Sequence, residues 1–232
     1  MTNKRITAFC GKAPQWLKAA FSIHRVELVE IGTCNSLQAP VAHHIDMMAL
    51  PILEKLLVAP ETAFTKYYFP GKEIVVTKER LIPEYPGDVI INAVWLPDYL
   101  ICNTNTVAKE ILQMAYEQGK TVIHVNQGYT KCAICIVSDT AIITEDESIY
   151  EACKDKLDVL LIKKGEALLP GYEYGFIGGA SALIGDTVYF FGNIENHTDY
   201  KAIQQFITLH NRKIVSIAKD KKLLDIGGIL LN

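Results

Sequence analysis

His44, Asp46, Asp88, Asn92, Tyr129, Lys131 and Asp225 are the residues of this chain whose types and spacing suit chemistry. Three are carboxylates set among apolar residues, where an ionisable group is costly unless it is paired or used. Brought together, Asp46, Asp88 and Asp225 would hold a small cation, with His44, Asn92 and Tyr129 shaping its surroundings. Lys131 fits that picture less easily, since it repels a cation and suits the carboxylate of a zwitterion. A purely structural network, with Lys131 neutralising one of the acids, is the alternative.

What would bring these residues together is a repeat. The stretch from Lys131 to Asp146 aligns without a gap over Gly178 to Asn193: an apolar run, an Asp-Thr turn and a second apolar run. Residue 131 stands over residue 178, an offset of 47, within the range of repeat architectures. Each copy continues into a helical pattern (147–156; 197–210) and a third apolar strand (159–162; 213–218). Upstream, the strand Asp88–Asp98 is followed by Tyr99–Cys102, N-cap candidates at 103–106, a helical pattern at 107–118, the stop Gly119, and a strand at 121–125. Before that come 45–54, 56–59, a helix-like stretch at 62–68 and a strand at 73–77. The two ends complete one another: strand 5–10, helix 14–23 and strand 26–31 lack a first strand, and 225–232 is a first strand with nothing after it.

These patterns predict an α/β fold of five ββαβ units with pseudo-five-fold symmetry, closed by pairing of the N- and C-terminal segments. The units fall at 225–232 plus 1–33, 40–79, 86–127, 128–174 and 175–222, in one domain spanning 1–232. An open α+β domain is the alternative. Counting ten residues back from the first turn places His44, Asp88, Tyr129 and Phe176 at one level of a ring, and matching Gly227-Gly228 to Gly178-Gly179 adds Asp225. Strand alternation then adds Asp46, Ile90, Lys131, Gly178 and Gly227 two residues on, and Asn92 two further. The glycine pairs 178–179 and 227–228 suit close approach of backbone or ligand.

Composition removes several classes of function. Net charge −3 with 23 basic residues gives no nucleic-acid footprint. No apolar run approaches the roughly 20 residues of a membrane span, and the start of the sequence carries no signal-peptide pattern. Six scattered cysteines fit reduced thiols, so a cytoplasmic protein is expected. Cys132 and Cys135, read as strand residues three apart, point to opposite faces and are expected to be buried structural thiols. His43, His44 and Asp46 make a weak metal pattern, and neither metal nor cofactor is expected. Cys34, in the loop Gly32–Ser36, is a candidate loop thiol over the channel. His197-Thr-Asp199 reads as a helix start, and Tyr172-Glu-Tyr174 as a pocket rim or edge cover.

The chain resembles the pentein superfamily of arginine deiminases, amidinotransferases and dimethylarginine hydrolases, which share five ββαβ units around an axis. Gly87-Asp88-Val89 is similar to a Gly-Asp-Val stretch of the dimethylarginine hydrolases, where the Asp orients a catalytic histidine. Tyr129-Thr-Lys131-Cys132 is similar to their His-Leu-Lys-Ser strand, and Asp46 matches the second residue of a Glu-Asp pair that faces the guanidinium, where Ile45 departs. Those enzymes use a cysteine in the C-terminal strand as nucleophile and a histidine as acid and base. Residues 224–232 contain no cysteine, and Tyr129 stands at the histidine position. The resemblance therefore implies the scaffold, and a small guanidino or amino-acid-like ligand in the axial channel without the cysteine-dependent chemistry: a pseudoenzyme from a separate, bacterial branch. Two alternatives stand beside it: altered enzyme chemistry at Cys34 or a metal at His44 and Asp46, and a non-catalytic protein-interaction module.

Overall fold

The computed structural model describes residues 5–62, 64 and 69–231. Strand β1 (Ile6–Cys10), helix α1 (Gln15–Ile23) and β2 (Val26–Glu30) come first, then β3 (Ala49–Ile52), β4 (Lys55–Val58) and β5 (Glu73–Val76). Next are β6 (Val94–Trp95), β7 (Tyr99–Cys102), α2 (Lys109–Glu117) and β8 (Thr121–His124). β9 (Ile134–Ser138), β10 (Ala141–Thr144), α3 (Glu147–Cys153) and β11 (Asp158–Leu161) follow. β12 (Ser181–Ile184), β13 (Thr187–Phe190), α4 (Tyr200–Leu209), β14 (Lys213–Ser216) and β15 (Leu230–Leu231) complete the chain.

The strands form five separate three-stranded sheets: β15-β1-β2, β3-β4-β5, β6-β7-β8, β9-β10-β11 and β12-β13-β14. Within each sheet one pair is antiparallel and the next parallel. Two-residue loops, Leu53-Glu54, Asp139-Thr140 and Gly185-Asp186, suffice for three of the antiparallel pairs, whereas a parallel pair needs a crossover. Helices supply that crossover in four units, and the helix expected at 62–68 lies largely outside the described residues. In the β15-β1-β2 sheet the ends of the chain meet, with Phe9 opposite Leu230 in an antiparallel pair.

Each helix buries the same two positions four residues apart: Leu17 and Phe21, Ile111 and Ala115, Ile149 and Cys153, Ile203 and Ile207. Positions i and i+4 lie one above the other on a helix, so a single apolar ridge docks each helix on its own sheet.

One expectation fails. In three units the first strand was expected to run ten residues to its turn, but the inner strands β3, β6, β9, β12 and β15 hold two to five. The residues ahead of them (44–48, 88–93, 129–133, 176–180 and 225–229) form turns or irregular backbone, with a short 3-10 helix at Ile45–Met47. Two close as single helical turns, the Ala133 N–H donating to the Tyr129 carbonyl at 2.9 Å and Ala180 to Phe176 at 3.1 Å. In such a turn residues i and i+3 share a side, not i and i+2. That difference decides which side chains meet at the axis.

Candidate functional site

The five turns crowd the axis at the N-terminal ends of the inner strands, and their leading residues touch in sequence. The Tyr129 hydroxyl donates to Asp88 Oδ2 at 2.6 Å, and its ring stacks on Phe176 at 6.2 Å between centroids. The Phe176 N–H donates to Asp225 Oδ2 at 2.8 Å, and Gly227 N–H to Asp225 Oδ1 at 2.9 Å. That same Oδ1 lies 3.7 Å from His44 Nδ1. His44, Asp88, Tyr129, Phe176 and Asp225 are thus brought together at one level. The close fit depends on glycine: at Gly227 (φ +75°) an added Cβ would sit 2.4 Å from His44 Cα, and at Gly179 one would sit 1.9 Å from Asp225 Oδ1.

A second cluster joins Asp46, Asn92 and Cys132. The Cys132 thiol donates to Asp46 Oδ2 at 3.2 Å, and Asn92 Nδ2 donates to Cys132 Sγ at 3.2 Å and to the Asp46 carbonyl at 3.2 Å. Asn92 Oδ1 accepts from the N–H groups of Lys131 (2.6 Å) and Cys132 (3.3 Å). One amide side chain therefore ties three units together. Cys132, three residues after Tyr129, reaches this cluster because the segment is a helical turn; as a strand residue it would have faced away. Cys135, on β9, lies in a different hydrophobic cluster, so the two thiols are separate as expected.

The axis holds two cavities. One, of ≈ 280 Å³, is lined by the five inner strands, with Asp46, Lys131 and Ser181 as its polar lining. The Lys131 ammonium donates to the Gly178 carbonyl at 3.5 Å. The other, of ≈ 270 Å³, opens on the turn side and is lined by His44, Tyr129, Cys132, Tyr172, Glu173, Tyr174, Phe176 and Asp225, with Val41, Met47 and Leu169. Lys131 and Trp95 thus line one cavity and the rings of Tyr129, Tyr172, Tyr174 and Phe176 the other, and the hydrogen-bonded Asp46 and Cys132 stand where the two approach. Cys34 is buried, its thiol 3.9 Å from the Glu61 carbonyl, and it lines neither cavity.

Burial sets the protonation states. Desolvation pushes Asp46 up to about 7, although Lys131 opposes it, and Asp225 up to about 6 despite its two backbone N–H bonds. It raises Asp88 as well, with the Tyr129 hydroxyl pulling the other way. Burial holds the His44 imidazole down to about 3, which leaves it neutral near pH 7, and drives the Cys132 thiol well above its usual range. Several buried polar atoms find no hydrogen-bond partner among the described residues: both His44 ring nitrogens, Asp46 Oδ1, Asp88 Oδ1 and Glu145 Oε1.

Sequence reasoning named neither Cys132 nor Glu145 as part of a site. Glu145 is a buried carboxylate whose Oε2 accepts from Ile177 N–H at 3.0 Å, beside the Phe176 turn. Its signal was an acid directly after the apolar run 141–144. Tyr172 and Tyr174 do line the pocket, and the Tyr172 hydroxyl donates to Gln38 Oε1 at 2.9 Å.

Comparison with solved structures shows the same architecture in other proteins. DDAH from Pseudomonas aeruginosa, determined in complex with citrulline, superposes with a TM-score of 0.60 at 8% identity, over 97% of this chain and 96% of that one. The C. jejuni agmatine deiminase gives 0.55 at 14% identity, over 94% and 76% of the two chains. The inosamine-phosphate amidinotransferase from Streptomyces griseus gives 0.50 at 11%, over 92% and 77%. At these identities the likeness establishes the fold, a pentein-type α/β propeller. No curated protein matches the sequence. Residues 10–230 match the model described as "Family of unknown function (DUF6873)", and the chain belongs to that pentein-fold family.

Proposed function

We propose that this protein binds a small guanidino or amino-acid-like cation in the turn-side cavity, without covalent turnover at a cysteine. The observation that carries this is the cavity's lining: the rings of Tyr129, Tyr172, Tyr174 and Phe176 stand around the carboxylates Glu173 and Asp225. Aromatic faces attract a cation by roughly 0.5–2 kcal/mol each, the more so when it is desolvated. Glu173 at the rim and the buried Asp225 supply the countercharge, and Lys131 lies in the lining of the other cavity. Against turnover, the Cys132 thiol is held protonated against Asp46, and Tyr129, pushed up by burial and by Asp88, makes a poor base. Agmatine, named for one of the structural relatives, is a guanidino cation of the kind proposed.

The test is calorimetric titration, in chelator-containing buffer, with arginine, agmatine, methylated arginines and their uncharged ureido counterpart citrulline. Guanidino compounds should bind at least ten-fold more tightly than citrulline. Phe176→Ala should weaken them ten-fold or more, and Glu173→Gln, a change at an exposed rim position, several-fold at low salt. Equal affinity for the charged and uncharged compounds, or binding of none, would overturn the proposal.

A further inference from the structure

We infer that His44, Asp46 and Cys132 form a binding site for one divalent transition-metal ion of the zinc type at the floor of the turn-side cavity. The ligand atoms of the three residues all lie within 4.8 Å of one another. A tetrahedral ion with bonds of about 2.0–2.3 Å needs its donors roughly 3.3–3.8 Å apart. Cys132 Sγ and Asp46 Oδ2 are already at 3.2 Å, so a small closure of the imidazole completes three corners. His44 and Cys132 both line the cavity, which leaves the fourth corner to water or a ligand entering there.

The second observation is the state of His44. Its residue is 1% exposed, and neither ring nitrogen has a hydrogen-bond partner among the described residues. Asp46 Oδ1 is also orphaned, in a residue 3% exposed. Buried polar groups are almost always satisfied, and an exception calls for a missing partner. Protein contacts account for the thiol and one carboxylate oxygen and leave these groups without a use; an ion between them uses all three side chains. The supporting groups are also of the kind that metal ligands keep around them. Asp225 Oδ1, 3.7 Å from His44 Nδ1, is placed to hold one ring nitrogen and leave the other for the ion. Asn92 Nδ2, 3.2 Å from Cys132 Sγ, is placed to donate to a thiolate. One thiolate, one imidazole and one carboxylate select zinc, cobalt or iron(II) over the oxygen-seeking magnesium and calcium. Binding exchanges the Cys132 S–H bond for a metal–sulfur bond, and the proton leaves to solvent.

The site requires no guanidino compound, so it stands or falls apart from the proposal above. The experiment uses the full chain, reduced and stripped with chelator, then titrated with Co²⁺ alone and afterwards with Zn²⁺. The expected result is one Co²⁺ per chain, a near-ultraviolet thiolate-to-cobalt band with intense tetrahedral visible bands, and their loss as Zn²⁺ displaces the cobalt. Cys132→Ser should abolish the thiolate band, and His44→Ala should weaken binding by roughly 100-fold, whereas Cys34→Ser should leave both unchanged. The wild-type spectrum alone decides the matter if a buried substitution fails to fold. No thiolate band at stoichiometric Co²⁺, or a band that persists in folded Cys132→Ser, overturns the inference.

Discussion

Glu145 shows how a single buried carboxyl couples this fold to pH. Desolvation, aided by the charges of Asp225 and Glu166, raises it to about 7 from an ordinary 4.5, while the N–H groups of Ile177 and Gly165 oppose the shift. Below pH 4.5 the group is protonated in folded and unfolded chains alike and costs nothing. Between there and pH 7 only the unfolded chain ionises, so stability falls as pH rises, and above 7 the whole penalty is present. A displacement of this size corresponds to roughly 3 kcal/mol. Glu145→Gln keeps a carbonyl oxygen for Ile177 and removes the charge. It should gain stability over wild type at pH 8, by up to about that amount, and little at pH 4. Urea denaturation of both proteins at the two pH values checks this. Equal differences at both pH values would remove Glu145 from the account.

Helix α3 reaches the site through its cap. Asp146 Oδ1 accepts from Ile149 N–H at 3.0 Å and from the Ser148 hydroxyl at 2.6 Å, and Oδ2 accepts from Gln127 Nε2 at 2.8 Å. Gln127 in turn receives the Tyr129 N–H at 3.0 Å and fixes the start of the turn that carries Tyr129 and Cys132. Burial works against the Asp146 carboxylate, but the bonds from Ser148, Gln127 and Ile149 prevail and hold it below its ordinary value. Its contribution is present above about pH 4 and lost as pH falls through the lowered value. Asp146→Ala should cost about 1 kcal/mol at pH 7 and less at pH 2–3, as denaturation at both values would show; a gap unchanged in acid would mean that the charge contributes nothing. At this scale much was legible in advance, because the paired apolar positions 17/21, 111/115, 149/153 and 203/207 recur in four of the five repeats. The turns were not, because a short apolar helical turn feeding a short strand presents the same residue pattern as one long strand. Hence Lys131 was expected in one channel with Asp46, Asp88, Tyr129 and Asp225, while Cys132, one residue on, went unnoticed as a partner for Asp46.

At the scale of the molecule, the ends of the chain carry weight out of proportion to their length. β15 is two residues long, yet the segment leading to it holds Asp225 and Gly227, and Leu230 and Ile226 are buried in two different hydrophobic clusters. A chain ending at Leu224 should lose about 4 kcal/mol or more, the order of two truncated core side chains, together with all binding in the turn-side cavity. Denaturation midpoints measure the first effect and ligand titration the second; an unchanged midpoint would show that ring closure adds no stability. Pentein architecture was readable from the five-fold count, since the missing first strand at one end and the surplus one at the other could belong only together. Their pairing also sets a clock on biosynthesis. Phe9 waits for Leu230, a partner translated 221 residues later, which at 5–20 residues per second takes roughly 10–45 s. Throughout that interval the nascent chain carries β1 with one bare edge, the kind of surface on which chaperones and aggregation compete. A ribosome that stalls before codon 230 leaves a chain that still carries that bare edge.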